Sequence, residues 1–205
     1  MTLVVCIVEG DGEVAALPVL LRRICDWRTP ETYPDIPTPI RVRRDRFLNN
    51  DGEFHRHVEL ASSKCQEDGW ILILLDADDD CPAELARSVL TRAQRVVPHR
   101  RISVVLANRE YEAWYIAGAA SLDGKRGIAL GDDDKDSRNA DTIRNAKGWL
   151  SQRMTSGSYR EVVDQPALSA SLDLETAFAH SRSFRKLCAE WSRQVTAEQE
   201  DARDQ

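Results

Sequence analysis

Residues 70–80 read Trp-Ile-Leu-Ile-Leu-Leu-Asp-Ala-Asp-Asp-Asp, a continuous apolar run that stops at a cluster of carboxylates. An apolar run without polar alternation predicts a strand that is buried on both faces, as in a parallel sheet. Residues 3–8 (Leu-Val-Val-Cys-Ile-Val) form a second such run, and they stop at Glu9. The fold is therefore expected to contain two buried strands that both end in acidic residues.

Strands and helices are predicted to alternate along residues 2–120. Two further strands are expected around residues 40–43 and 102–106. The first helix is expected to start near Ala15 or Ala16, with Pro18 in its first turn. Further helices are predicted at 53–67, from Pro82, at 110–119, at 141–153 and at 173–196. This order predicts an α/β fold of the Rossmann-like kind, a three-layer sandwich with a central, mainly parallel four-stranded sheet. Residues 1–120 would form the core, and residues 121–205 a helical extension packed on it.

The composition limits the class of protein. A chain of 205 residues suits one α/β domain, and 42% hydrophobic residues are enough for a core. The formal net charge of −6 argues against passive attraction to a nucleic-acid backbone. A nucleic-acid substrate would need a bound divalent metal, a local basic patch or a partner protein to offset the repulsion.

The cysteine pattern indicates the compartment. Five cysteines are widely spaced and form no Cys-x-x-Cys pair, which favours free thiols in a cytoplasmic protein. No secretory signal is expected, and no apolar run reaches the roughly 20 residues of a membrane helix.

Carboxylates follow the first and the third predicted strand. Functional groups collect beyond the carboxyl ends of parallel strands, so Glu9, Asp76 and Asp78 should converge if those strands are neighbours. Carboxylates so close would raise one another's pKa, and Mg²⁺, which prefers oxygen ligands, would relieve the conflict. Asp76 and Asp78 could both reach one metal from an extended backbone. The simpler alternative is that these residues cap helices or lie in solvated loops.

These motifs resemble a known family. Val8-Glu9-Gly10 and Asp76-Ala77-Asp78 are similar to the glutamate and the Asp-x-Asp of Toprim domains, which occur in topoisomerases, primases and the overcoming-lysogenization-defect (OLD) nucleases. The chain resembles the DUF4276 family more closely and over nearly its whole length. That likeness rests on residues 8–10, 75–80, 107–114 and 163–166 and on Ser183-Phe184.

The Toprim resemblance implies roles for individual residues. Glu9 would be a general acid/base or a metal ligand, and Asp76 and Asp78 would hold Mg²⁺ or Mn²⁺. OLD-type nucleases are thought to use two metals and a lysine. Asp80 is a candidate for a further ligand. Glu13, Glu110 and Glu112 are the candidates for a second metal site, and at most one of Glu110 and Glu112 should face the metal. Lys147 is the candidate for the catalytic lysine.

Arginines are densest at residues 41–46. Arg41, Arg43 and Arg44, with Arg46, are candidates for contacts to a phosphate backbone. Alternatively, they protect an ordinary edge strand by their charge.

Three functions remain open. The first is a Mg²⁺-dependent nuclease, for which the OLD resemblance implies a role in phage defence beside an ATPase. The chain has no Gly-x-x-x-x-Gly-Lys-Ser/Thr segment, so the ATPase would be a separate protein. The second is a metal-binding regulatory or partner-binding module of weak or absent activity. The third is a phosphoacceptor domain. This function is disfavoured because the first strand ends in Glu-Gly, whereas such domains have paired aspartates there.

Overall fold

Strand β4 (Trp70–Asp76) lies between two parallel neighbours in the sheet, as its apolar sequence predicts. The computed structural model describes residues 1–201, except the side chains of residues 138, 139 and 199–201. The last four residues of the predicted extension, 202–205, lie outside this description. The other strands are β1 (Thr2–Val8), β2 (Pro34–Asp35), β3 (Ile40–Arg41) and β5 (Arg101–Ala107).

The sheet has the order β2-β1-β4-β5, with β3 also on β1, and all these pairings are parallel. The α/β architecture and the parallel sheet are thus confirmed. The prediction of four strands was wrong, because the chain before α2 pairs twice with β1. Thr2 and Leu3 pair with β2, whereas Ile7 and Val8 pair with β3.

Helices cover both faces of the sheet. They are α1 (Asp11–Arg28), α2 (Arg44–Asn49), α3 (Asp51–Lys64), α4 (Pro82–Val96), α5 (Ala113–Ala117), α6 (Ala146–Arg153), α7 (Glu161–Ser171), α8 (Leu174–His180) and α9 (Arg182–Asp201). Alternate residues of each long strand enter opposite cores. Leu72 and Leu74 face the core of α1, α7 and α9, and Ile71 and Ile73 face that of α3 and α4. Burial of each such side chain contributes about 1.5–3 kcal/mol.

Helix α1 begins earlier than predicted, at Asp11 rather than near Ala15, and Pro18 therefore lies in its interior. The backbone N–H of Gly10 donates to the carboxylate of Glu13, which caps the helix four residues before the expected start. A proline inside a helix removes one backbone hydrogen bond. Burial of Leu17 and Leu21 on the face toward the sheet offsets that loss.

The predicted helix at 173–196 is divided at Ser181, whose hydroxyl accepts from the N–H of Phe184 and so begins α9. The helix predicted at 110–119 is only α5, followed by a 3₁₀ turn at Ala119–Leu122. The predicted helix at 141–153 becomes a 3₁₀ segment, Ser137–Thr142, and then α6, which Asn145 caps.

The residues after 120 share a core with those before it. Trp114 donates through its indole N–H to the buried hydroxyl of Ser183, at 2.8 Å, and Ser183 also accepts from the N–H of Asn108. Leu168 of α7 and Leu187 of α9 are fully buried in the same cluster as Leu20 of α1. The first turn of α9 is thereby fixed to the end of β5.

The five cysteines are free, as predicted, but their surroundings differ. Cys6, Cys25, Cys65 and Cys188 are buried, whereas Cys81 is exposed at the start of α4. In residues 1–201, no helix combines the length and the apolar character that a membrane crossing requires.

Candidate functional site

A cleft of about 470 Å³ opens at the carboxyl ends of β1 and β4. Because β1 and β4 are paired neighbours, with Cys6 opposite Leu72, their acidic ends meet there as predicted. The cleft lining brings together many of the predicted site residues, namely Glu9, Glu13, Arg41, Arg43, Arg44, Asp76 and Lys147.

Glu9 is half-buried directly after β1. Its Oε2 is buried and has no hydrogen-bond partner among the described residues. Burial raises the pKa of Glu9, the charge of Asp78 raises it further, and Arg44 opposes both. Glu9 therefore brings to the cleft an acceptor oxygen that no donor of the described chain satisfies.

Asp76 ends β4, and its Oδ1 accepts the backbone N–H of Tyr111 at 2.8 Å. Burial raises the pKa of Asp76 well above its usual value, and the charges of Glu112, Glu13 and Glu9 add to the effect. The charge of Lys147 opposes it. The strand ends thus hold several carboxylates close enough to resist ionising together.

The acidic turn, residues 76–80, departs from the expected extended geometry. Asp78 has a positive φ of 50° and donates its N–H to the carbonyl of Arg109. Asp tolerates this left-handed conformation better than most residues. The expectation that Asp76 and Asp78 share one side of an extended backbone was therefore wrong, since the chain turns between them.

Arg44 binds the acidic turn from the side of α2. Its Nη1 lies 3.3 Å from Oδ2 of Asp78, and its Nη2 lies 2.6 Å from Oδ2 of Asp80. Its Nε also donates to the carbonyl of Asp76 at 3.0 Å. The side chain of Arg44 is only 12% exposed. Arg44 thus acts as the counter-ion of this turn, and it engages two predicted metal ligands.

Asp79 faces away from this group and pairs with Arg109 at 2.8 Å and Arg144 at 2.9 Å. The hydrogen bond from Arg109 and the charge of Arg144 lower the pKa of Asp79. Asp76, Asp78 and Asp80 were predicted as metal ligands from the sequence, and Asp79 was not.

Glu112 lies beneath the cleft and is completely buried. Its Oε1 accepts from the hydroxyl of Tyr159 at 3.0 Å and from the amide of Gln165 at 3.1 Å, while its Oε2 has no described partner. Burial raises the pKa of Glu112 to about 7, although the charge of Lys147 opposes the shift. Glu112 can therefore exchange a proton near neutral pH.

Lys147 lines the cleft, and Glu110 contacts its backbone from outside the cleft lining. Oε2 of Glu110 accepts the backbone N–H of Lys147 at 3.2 Å, and Nζ of Lys147 lies 2.9 Å from Oε1 of Glu161. Burial alone would lower the pKa of Lys147, but the charges of Glu112 and Glu161 raise it. Neither Glu110 nor Glu112 lines the cleft itself.

These residues fit a hard cation in their chemistry. Glu9, Glu13 and Asp76 offer only oxygen, and the unpartnered Oε2 of Glu9 is a free acceptor of the kind that Mg²⁺ binds. Across the side chains that are described, however, no three acidic, histidine or cysteine residues are arranged to hold a metal as they stand. Asp78 would have to leave Arg44 to serve as a further ligand.

Several residues of the site were missed from the sequence. Glu161 lines the cleft, and Tyr159 and Gln165 hold Glu112. The segment Val163-Asp164-Gln165-Pro166 carries part of the family resemblance, but a proline inside a segment argues against a helix, and α7 was not predicted. The sequence shows Arg44 only as one of several clustered arginines, so its role as the counter-ion of the acidic turn could not be predicted.

Comparisons with known proteins add one match. A family model described as a domain of unknown function (DUF4276) matches residues 8–190, which include every predicted site residue. The comparison with curated proteins found no match. The comparison with solved structures found none either.

Proposed function

We propose that this chain, which belongs to the DUF4276 family, hydrolyses nucleic-acid phosphodiesters with Mg²⁺ or Mn²⁺ in the cleft between β1 and β4. The observation that carries the proposal is the buried, unpartnered Oε2 of Glu9 beside Asp76, in a cleft whose lining also includes basic side chains such as Arg44 and Lys147. The likeness of Val8-Glu9-Gly10 and Asp76-Ala77-Asp78 to Toprim and OLD-type nucleases agrees with this activity and with a role in phage defence.

Glu9 and Asp76 would hold the ion, with Glu13 behind them and Asp78 joining after release from Arg44. A divalent ion placed there would polarise the phosphodiester and lower the pKa of a bound water. If the ion binds Asp76 without Glu9, Glu9 would instead be the general acid/base, a role that suits its raised pKa.

Lys147 would stabilise the negative charge that develops on the phosphate. It lines the cleft and carries a raised pKa, so it is charged at neutral pH. Its partner Glu161 fixes the direction of the ammonium group. The pair would leave the remaining ammonium protons for a substrate oxygen.

A regulatory module is the second candidate. It is favoured by Arg44, which forms ion pairs with Asp78 and Asp80, two of the predicted metal ligands. In that case the acidic turn would be a structural element, and the cleft would bind a partner instead of cleaving a substrate.

A partner and a compartment complete the proposal. The chain has no phosphate-binding Gly-x-x-x-x-Gly-Lys-Ser/Thr segment, so ATP hydrolysis would come from a separate ATPase. The five free thiols agree with the reducing cytoplasm.

Cleavage by the purified chain tests the proposal. Single- and double-stranded DNA and RNA are incubated with Mg²⁺ or Mn²⁺, with and without the ATPase partner. Glu9→Gln and Asp76→Asn should each lower the rate by about 100-fold or more. Asp132→Asn removes the same charge from a fully exposed side chain outside the cleft and should cut like the wild type.

Two results would refute the hydrolase. One is cutting at the same rate by the wild type and both cleft variants, which would point to a contaminating nuclease. The other is no cutting by any protein under any of these conditions, which would leave the regulatory module as the better explanation.

A further inference from the structure

The arginine-rich wall of the candidate site has a second cleft on its other side. This second cleft has a volume of about 250 Å³ and shares Arg41, Arg43 and Arg46 with the first. Arg56 of α3 also lines the second cleft. Residues 41–46, the basic wall, therefore contribute to the lining of both clefts.

The cations of this wall differ in how far they are already neutralised. Arg41 pairs with Asp11 at 3.0 Å, and Arg56 pairs with Glu53 at 2.8 Å. Arg43 and Arg46 are exposed, and neither has an ion pair with any side chain that the structure describes. In a protein of net charge −6, such a cluster attracts anions locally.

The backbone of the basic wall is fixed by contacts to β1 and α3. Val42 is buried and donates its backbone N–H to the carbonyl of Val8, at 2.8 Å, while Phe47 is buried and packs on Phe54 with ring centroids 4.7 Å apart. The exposed arginines thus extend from a backbone that is fixed to β1 and α3. A preorganised surface loses less entropy when it binds a ligand.

We propose that a single nucleic-acid strand crosses this wall, with the reacting phosphate in the first cleft and a neighbouring phosphate bound by Arg46 and Arg56 in the second. The proposal rests on the hydrolase function and names its substrate class, an oligonucleotide strand rather than a free nucleotide. Arginine suits this role because its planar group can donate two hydrogen bonds to one phosphate.

A strand fits the two clefts better than a duplex does. Each cleft has the size of a small-ligand site or less. Glu9 and Asp76 are partly buried, whereas Arg43 and Arg46 are exposed. A flexible strand can bend one phosphate down to these carboxylates while its neighbour stays on the wall. A duplex holds its phosphates on the outside of a stiff rod.

Binding without catalysis tests the inference. The full-length chain is titrated in chelator with a labelled single-stranded oligonucleotide of about eight nucleotides, within the usual size of such sites. The double variant Arg46→Ala/Arg56→Ala should bind about tenfold more weakly at low salt. Because the contact to one phosphate is lost, its slope of log affinity against log salt should fall by about 0.7.

Arg22→Ala/Arg87→Ala is the matched control. It removes two exposed arginines from α1 and α4 that line neither cleft, and it should bind like the wild type. A mononucleotide and a duplex of the same sequence should bind more weakly than the strand.

Three results would overturn the inference: equal binding by the two double variants, preference for the duplex, or equal affinity for a mononucleotide. These results do not depend on cleavage. A strand that binds as expected but is never cut with metal would refute the hydrolase alone. Cleavage that is unaffected by Arg46→Ala/Arg56→Ala, together with unchanged binding, would refute the second cleft alone.

Discussion

Nη2 of Arg44 lies 2.6 Å from Oδ2 of Asp80, so a residue of α2 neutralises the acidic turn that follows β4. The same guanidinium reaches Asp78 and the backbone carbonyl of Asp76. The geometry of the turn therefore depends on a helix that is far from it in sequence. It also means that a metal ion and Arg44 would compete for Asp78.

Replacement of Arg44 should destabilise the fold. Arg44→Ala leaves the carboxylates of Asp78 and Asp80 and the carbonyl of Asp76 without their shared donor. Because both carboxylates are more than half exposed and water screens their pairs, the loss should be about 1–2 kcal/mol of unfolding free energy. Arg44→Lys should recover little, because an ammonium group lacks the planar fork. Urea denaturation in chelator measures both. Arg43→Ala, at an exposed neighbour, should change stability little, and an equal loss in both variants would contradict the role given to Arg44.

Glu112 should make stability fall as pH rises. Its pKa is raised from an ordinary 4.5 to about 7 in the folded chain, so the folded state keeps a proton that the unfolded state has lost. The resulting contribution is present at low pH and is lost between about pH 4.5 and 7, roughly 3 kcal/mol in all. Denaturation in chelator across this range should show a smaller decline for Glu112→Gln than for the wild type.

Glu175→Gln is the control for this pH effect, since it neutralises an exposed carboxylate on α8. It should keep the wild-type decline. Identical pH profiles for Glu112→Gln and the wild type would show that Glu112 ionises normally in the folded chain.

Divalent metal should stabilise the chain if the cleft binds it. At a metal concentration about 100 times the dissociation constant, the gain should be about 2.7 kcal/mol, seen as a rise in melting temperature. Glu9→Gln should abolish this rise, and Asp132→Asn, at a fully exposed side chain, should preserve it. A rise that persists in Glu9→Gln would place the ion elsewhere.

A side chain at position 12 should disturb the packing of α1 on α7. A Cβ atom on Gly12 would lie 2.1 Å from Oε1 of Gln165, the residue whose amide binds Glu112. Gly12→Ala should therefore lower stability by about 1–3 kcal/mol, through overpacking. Gly52→Ala, where the nearest atom is 3.4 Å away, should be neutral or stabilising. Equal melting temperatures for the two variants would contradict this packing.

The parts of the fold that follow from local sequence were predictable. Uninterrupted apolar runs gave β1 and β4, and parallel pairing brings their ends together, so Glu9 and Asp76 could be assigned to one cleft. Helices α1 and α7 were misjudged or missed because Pro18 and Pro166 lie inside them. Tertiary burial there outweighs the local cost of proline, and a single sequence does not reveal that balance.

The details of the site depend on contacts between distant segments. The reach of Arg44 to Asp80 joins residues far apart in the chain, and the positive φ of Asp78 depends on the carbonyl of Arg109. Neither contact leaves a pattern of spacing. The sequence therefore indicated which carboxylates gather at the strand ends, but it could not indicate which of them are already paired.

Cys81 is exposed whereas the other four cysteines are buried, so a fluorescent label can be attached at this one position. Burial raises the pKa of Cys65 to about 11 and that of Cys188 to about 12. The pKa values of Cys6 and Cys25 are raised for the same reason. A maleimide dye should consequently attach to Cys81 in the native wild-type chain, without any engineered cysteine. The dye would stand next to Asp80 and report by its fluorescence when the turn separates from Arg44.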